Sequence, residues 1–134
     1  MFSNADIGDV GVFSLRHHGA KHRLADGFVL GELACRDGSD IVLVHPDLAL
    51  LLSAIRRKYG GPIHINSAYR THAYNVSIGG KPNSAHLWGM AADVWTPAVY
   101  PSDVAAFVDS LGAGGVGDYP TFTHVDVLGQ DRRW

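Results

Sequence analysis

A single cysteine, Cys35, stands among 134 residues, which excludes an internal disulfide and a cysteine-rich metal site. No run approaches the ~18 apolar residues of a membrane span. Charge of one sign is also lacking: 11 Lys and Arg against 13 Asp and Glu leave a formal net charge of −2. Without a global positive field to gather polyanions, no nucleic-acid partner is expected. The opening Met1-Phe2-Ser3-Asn4-Ala5-Asp6 lacks the basic and apolar regions of a secretory signal, so synthesis in the cytoplasm is the expectation. Glycine is the residue in excess, with 16 positions, and it points to tight turns and a loop-built site. With 46% apolar and 18% charged residues, the chain has the composition of one compact domain.

Residues 1–27 are polar and rich in glycine. His17, His18 and His22 lie there among Arg16, Lys21 and Arg23, without periodicity, so an irregular N-terminal segment is expected. The main domain is then 28–134. Phe28–Leu33 is a short apolar run, and Ile41–Val44 reads as a brief strand. The spacing of Leu48, Leu51, Leu52 and Ile55 predicts a helix over 46–59, started by Pro46 and stopped by Gly60-Gly61-Pro62. Ile63–Ser67 alternates as a half-buried strand does. A second helix is expected from Ser102, as its N-cap, to Leu111, with Val104, Phe107, Val108 and Leu111 on one face. Met90–Trp95 and Phe122–Leu128 read as strands. Helices and strands mix without a βαβ rhythm, so the class is α+β: a single domain with a small antiparallel sheet and two main helices.

Three clusters carry chemistry. The first is Ser67-Ala68-Tyr69-Arg70-Thr71, continuing to Asn75. The second is Ser84-Ala85-His86-Leu87-Trp88-Gly89-Met90-Ala91-Ala92-Asp93. The third is Phe122-Thr123-His124-Val125-Asp126. Alternation places Ala91, Asp93 and Trp95 on one strand face, and Phe122, His124 and Asp126 on another. Adjacent strands would then bring Asp93, His124 and Asp126 to a common point, with His86 reaching in from a loop. Two histidines and one carboxylate, with a fourth position open, is the usual donor set of catalytic zinc. Spacing alone is weak support, because eight histidines in 134 residues produce accidental constellations.

Ser84-x-His86-x-x-Gly89-x-Ala91-x-Asp93 followed by His124-x-Asp126 resembles the signature of the D-Ala-D-Ala carboxypeptidase-type zinc peptidases, which group structurally with lysostaphin and hedgehog folds. Ser67-Ala68-Tyr69-Arg70, Gly79–Ser84, Gly114-Gly115-Val116-Gly117 and Arg132-Arg133-Trp134 follow in family order, so the resemblance spans about residues 28–134. It is closest to the short phage and bacterial cell-wall forms.

The resemblance implies Zn²⁺ held by His86, Asp93 and His124, and hydrolysis of peptidoglycan stem peptides by a carboxypeptidase or endopeptidase. Together with the absent signal and the absent membrane span, it fits a protein that acts on the wall after phage-type release, and a monomer is expected. Arg70 matches the arginine that stabilises the oxyanion. Ser84 is a substrate contact or a loop cap, and Tyr119 is a candidate substrate contact. Asn75 is expected to pin its loop, Tyr69 to join the core and Trp88 to be buried.

The sequence departs from the family where relatives carry their base. Thr121 stands three residues before His124 and Phe122 two before it. Ala85 and Leu128 replace a common Gln and Arg. Asp118, on what reads as a mobile Gly-rich loop, and Asp126 remain as candidate bases, with Asp118 favoured and Asp126 expected to orient a ligand. The rival expectation is a binding module of the same fold that holds zinc or wall peptide without cutting.

Overall fold

The computed structural model describes residues 6–25, 27–129 and 131–134. The Met1–Ala5 part of the segment expected to be irregular lies outside the described residues. A 3₁₀ turn, Ile7–Asp9, is followed by β1 (Gly11–Ser14), α1 (Leu15–His18), β2 (Arg23–Ala25), β3 (Phe28–Val29) and α2 (Leu30–Leu33). Next come β4 (Ile41–Val44), α3 (Pro46–Tyr59), β5 (His64–Ser67) and α4 (His72–Ser77). A second 3₁₀ turn, Ala85–Trp88, leads into β6 (Ala91–Trp95), α5 (Pro101–Ser110), β7 (Gly115–Asp118), β8 (Thr123–Asp126) and β9 (Arg132–Arg133). The chain is a single α+β domain, as its sequence implies.

The N-terminal segment is more regular than its composition suggests. Strand β1 pairs antiparallel with β4 along its whole length, from Gly11 opposite Val44 to Ser14 opposite Ile41. The short range of sequence periodicity hides this, because β1's partner lies about thirty residues away and a two-stranded ribbon needs no long alternating run. Ser14 and Arg16 are tied to Asp40: the Ser14 hydroxyl donates to its carboxylate at 2.7 Å and the Arg16 amide at 2.8 Å.

The two main helices stand where periodicity placed them. In α3, His45 Nδ1 accepts from the Asp47 amide at 3.0 Å, Pro46 occupies the first turn, and Gly60 closes the helix at φ 71°, where a side chain would be strained. Leu48, Leu51, Leu52 and Ile55 are buried together with Phe28, Leu30, Val42 and Met90. Helix α5 is capped two residues earlier than expected: Tyr100, not Ser102, is its N-cap. Pro101 sets the first turn, and the Asp103 carboxylate accepts from the Tyr100 amide at 3.1 Å.

The five-stranded sheet has the order β5-β6-β8-β7-β9. It is antiparallel except for β9, which runs parallel to β7. Its two faces are sharply different. Val94, Thr123, Val125 and Val116 alternate onto the covered face, where the Thr123 hydroxyl donates to Pro101 O of α5 at 2.7 Å. Asp93, His124 and Asp126 alternate onto the other.

Candidate metal centre and cleft

Register assembles the site. Asp93 on β6 lies opposite His124 on β8, and paired residues of an antiparallel ladder share a face. His86 arrives from the 3₁₀ turn before β6, which Ser84 caps by accepting from the His86 amide at 3.2 Å. Gly89 ends the turn at φ 68°. A Cβ there would strike the Leu43 backbone, so glycine is required for both conformation and space.

One oxygen of Asp93 faces both imidazoles: His86 Nε2 is 3.3 Å and His124 Nδ1 3.1 Å from Oδ1. The other oxygen accepts from Arg70 Nη2 at 3.2 Å. Each histidine's remaining nitrogen is also occupied. His86 Nδ1 lies 2.6 Å from Ala68 O, and a carbonyl can only accept, so Nδ1 carries the proton and Nε2 keeps its lone pair. His124 Nε2 lies 2.7 Å from the Asp126 carboxylate, which by the same reasoning leaves the Nδ1 lone pair facing Asp93. Such outer partners fix the tautomer and orientation of metal-ligating histidines.

Burial and charge fit this arrangement. Burial pushes the Asp93 carboxyl up, but protons on the facing nitrogens of His124 and His86, where a metal would otherwise sit, hydrogen-bond to it and more than reverse the effect, leaving it below the usual range. Burial alone would depress the His124 imidazole, and its bonds to Asp126 and Asp93 raise it instead. A cation belongs at such a point. The His86, Asp93 and His124 donor atoms lie within 4.8 Å of one another, and this N,O,N set of buried ligands suits zinc. No other such group occurs among the described residues; His17, His18 and His22 instead cluster ring against ring beside Phe13.

The cluster forms part of the wall of an open cleft of about 750 Å³. One side is the loop from Gly79 to Ala85; the other carries Tyr119, Phe122, Arg132 and Trp134. Tyr119 stacks on Phe122 with centroids 4.4 Å apart, and its hydroxyl accepts from Trp134 Nε1 at 2.6 Å. Arg70 reaches the site through Ser67, Asn75 and Asp93, to which its Nε, Nη1 and Nη2 donate. Asn75 is buried and also donates to Lys81 O at 2.9 Å, so it pins the loop as expected. Tyr69 packs partly buried against the core. Trp88 does not follow its expectation: it is 47% exposed, because the tight turn at Gly89 leaves its ring outside.

The two candidate bases separate. Asp126 is wholly buried and bonded to His124, to the Gly115 and Leu128 amides, and to Arg132 Nη2 at 2.6 and 2.7 Å. It holds the His124 ring in place. Asp118 is not brought to the metal face. The expected Gly-rich loop is strand β7, where Asp118 pairs with Thr123 and Gly117 with His124. Asp118 therefore shares the parity of Thr123 and is exposed at the strand end. Alternation, rather than loop motion, decides its direction.

Two contributors went unassigned at the level of sequence. Arg132 clamps Asp126, and the Trp134 ring lies 4.9 Å from that of His124. The signal was the closing Arg-Arg-Trp triplet, whose role appears only once β9 is laid beside β7.

Comparison with protein families matches residues 22–126 to the family described as Peptidase M15. No curated protein matches the chain.

Proposed function

The chain belongs to the Peptidase M15 family, whose members are zinc-dependent peptidases, and from that premise we propose that it hydrolyses peptide bonds of peptidoglycan stem peptides, as a D-Ala-D-Ala carboxypeptidase or a murein endopeptidase. Family membership makes it a zinc metallopeptidase, with His86, Asp93 and His124 as the residues that would hold the metal. The observation that carries the finer reading is the position of this buried donor set in an open cleft whose other charged lining groups, Arg70, Lys81 and Arg132, are all cationic. Stem peptides are rich in carboxylates. On this reading the protein meets its substrate only once it has reached the wall, which is our proposal for where it acts.

When bound, zinc would supply Lewis acidity, lowering the pKa of a water toward about 7 and polarising a carbonyl. The chain's own groups do the rest. Asp126 and the Ala68 carbonyl hold the two imidazoles with their lone pairs inward. Arg70 stands beside Asp93 where a guanidinium can stabilise negative charge developing on the carbonyl oxygen, an effect of about 3–4 kcal/mol for a well-placed donor. Ser84 spends its hydroxyl on the His86 amide and so shapes the cleft wall, while Tyr119 offers an aromatic face.

One observation favours a second reading, a binding module. Among the described residues that line the cleft, the sole carboxylate is Asp93, and a proton acceptor is needed for turnover. Isolated peptidoglycan incubated with zinc-loaded protein separates the two. Cutting yields new amine termini and defined muropeptide mass losses, abolished by chelator and restored by Zn²⁺. Loss of one alanine marks a carboxypeptidase, and loss of a crosslink an endopeptidase. Protein shown to carry zinc that binds muropeptides and releases no amine would establish the module instead.

A further inference from the structure

The sheet order sets the two cleft guanidiniums on opposite sides of the metal ligands. Asp93 and His124 belong to the adjacent strands β6 and β8. Arg70 follows the edge strand β5, and Arg132 lies on the other edge strand, β9. A peptide laid across the ligands from one edge to the other meets Arg70 first and Arg132 last.

The two arginines differ in how far the protein already satisfies them. Arg70 donates from Nε, Nη1 and Nη2 to Ser67, Asn75 and Asp93. Arg132 donates from Nη2 alone, to Asp126. Its Nε is the one buried side-chain polar atom among the described residues without a hydrogen-bond partner. A buried donor left unpaired costs about 1–3 kcal/mol, so a fold tolerates one only where something else is gained. The side chain is 33% exposed, so part of it remains open to the cleft. It is also held still. Asp126 clamps one end, the Trp134 ring lies 5.8 Å from the guanidinium carbon, and a Cβ at Gly115 would collide with both Asp126 and Arg132.

We propose that Arg132 is a specificity-determining residue that receives a carboxylate of the peptide substrate, on the side of the metal ligands away from Arg70. The guanidinium is preorganised, so little rotamer entropy remains to be lost on binding. Asp126 neutralises part of its charge but leaves Nη1 uncommitted and, unlike Nε, not a buried unpaired atom, and a carboxylate oxygen is the charged acceptor that matches it. The proposal rests on the peptide reading of the cleft and adds to it which substrate group is read, and by which residue.

A synthetic stem pentapeptide with all carboxyl groups free is compared with the same peptide fully amidated. Calorimetric binding to zinc-loaded protein is measured beside kcat/KM. The parent is expected to prefer the free acid by about ten- to a hundredfold, the range that hydrogen bonds to charged groups supply. Arg132→Gln should bring that ratio close to one, Arg132→Lys should leave part of it, and Lys81→Gln should leave most of it. Because the ratio is taken within each variant, any loss of zinc through the Asp126 clamp affects both peptides alike and cancels. A ratio retained in Arg132→Gln overturns the proposal, as does a parent that treats both peptides equally; in either case the peptide reading stands. If the parent neither binds nor cuts either form, the peptide reading falls and takes the proposal with it.

Discussion

Asp118 is the last residue of β7 and Asp126 the last residue of β8 in one antiparallel hairpin, yet they face opposite ways. Asp126 is opposite Gly115 and Asp118 opposite Thr123, so an even step separates Asp126 from His124 and an odd step separates Asp118 from Gly117. The consequence is a division of roles that can be measured. Asp126→Asn should fold and bind zinc about 10–100-fold more weakly, the usual cost of losing a partner behind a metal-ligating histidine. Turnover should fall with the metal and recover partly at higher zinc. Asp118→Asn should match the parent in both, by elemental analysis and muropeptide assay. A metal-replete Asp118→Asn protein that has lost its turnover would return Asp118 to the chemistry.

Strand β7 shows how an element can be built from glycines and still be a strand. Gly115 and Gly117 both lie on the metal face, under Asp126 with Arg132 and under Trp134, respectively. A Cβ at Gly117 would come within 2.6 Å of the Trp134 ring. Trp134 is 47% exposed, so the ring can give way where a backbone could not. Gly117→Ala is therefore expected to fold, to lose about 1–3 kcal/mol as overpacked sites do, and to release Trp134 from His124. Denaturant melts and tryptophan emission read both effects. Gly61→Ala, which meets nothing within 4 Å, is the neutral comparison. Equal behaviour of the two variants would refute this account of the glycines.

At the scale of the molecule, the metal would join parts that are otherwise held by different contacts: the turn before β6, strand β6 itself, and β8. A ligand that binds only the folded chain stabilises it by mass action, about 2.7 kcal/mol at a hundredfold excess over Kd. For a domain of this length that should raise the melting temperature by on the order of 10 °C. Chelator should reverse the shift, and His124→Ala, with one ligand gone, should hold zinc well below stoichiometry and show almost none of it. A full response in His124→Ala would remove His124 from the ligand set.

Local pattern settled a good deal. Period 3.6 placed α3 at Pro46–Tyr59 and its buried leucines, and alternation put His124 and Asp126 on one face of β8, because both depend on residues within a few positions of one another. The ordered motifs likewise carried the His86, Asp93 and His124 group and the family. Only the tertiary structure decided which strands are neighbours. Pairing β1 with β4, turning the Gly114–Gly117 stretch into a central strand, and laying β9 beside β7 are contacts between distant residues, and no local propensity encodes them. Strand parity then excluded Asp118 from the metal face, and the parallel β9 delivered Arg132 and Trp134. A side chain's type is written in the sequence; the direction it faces is set by the partner its strand finds.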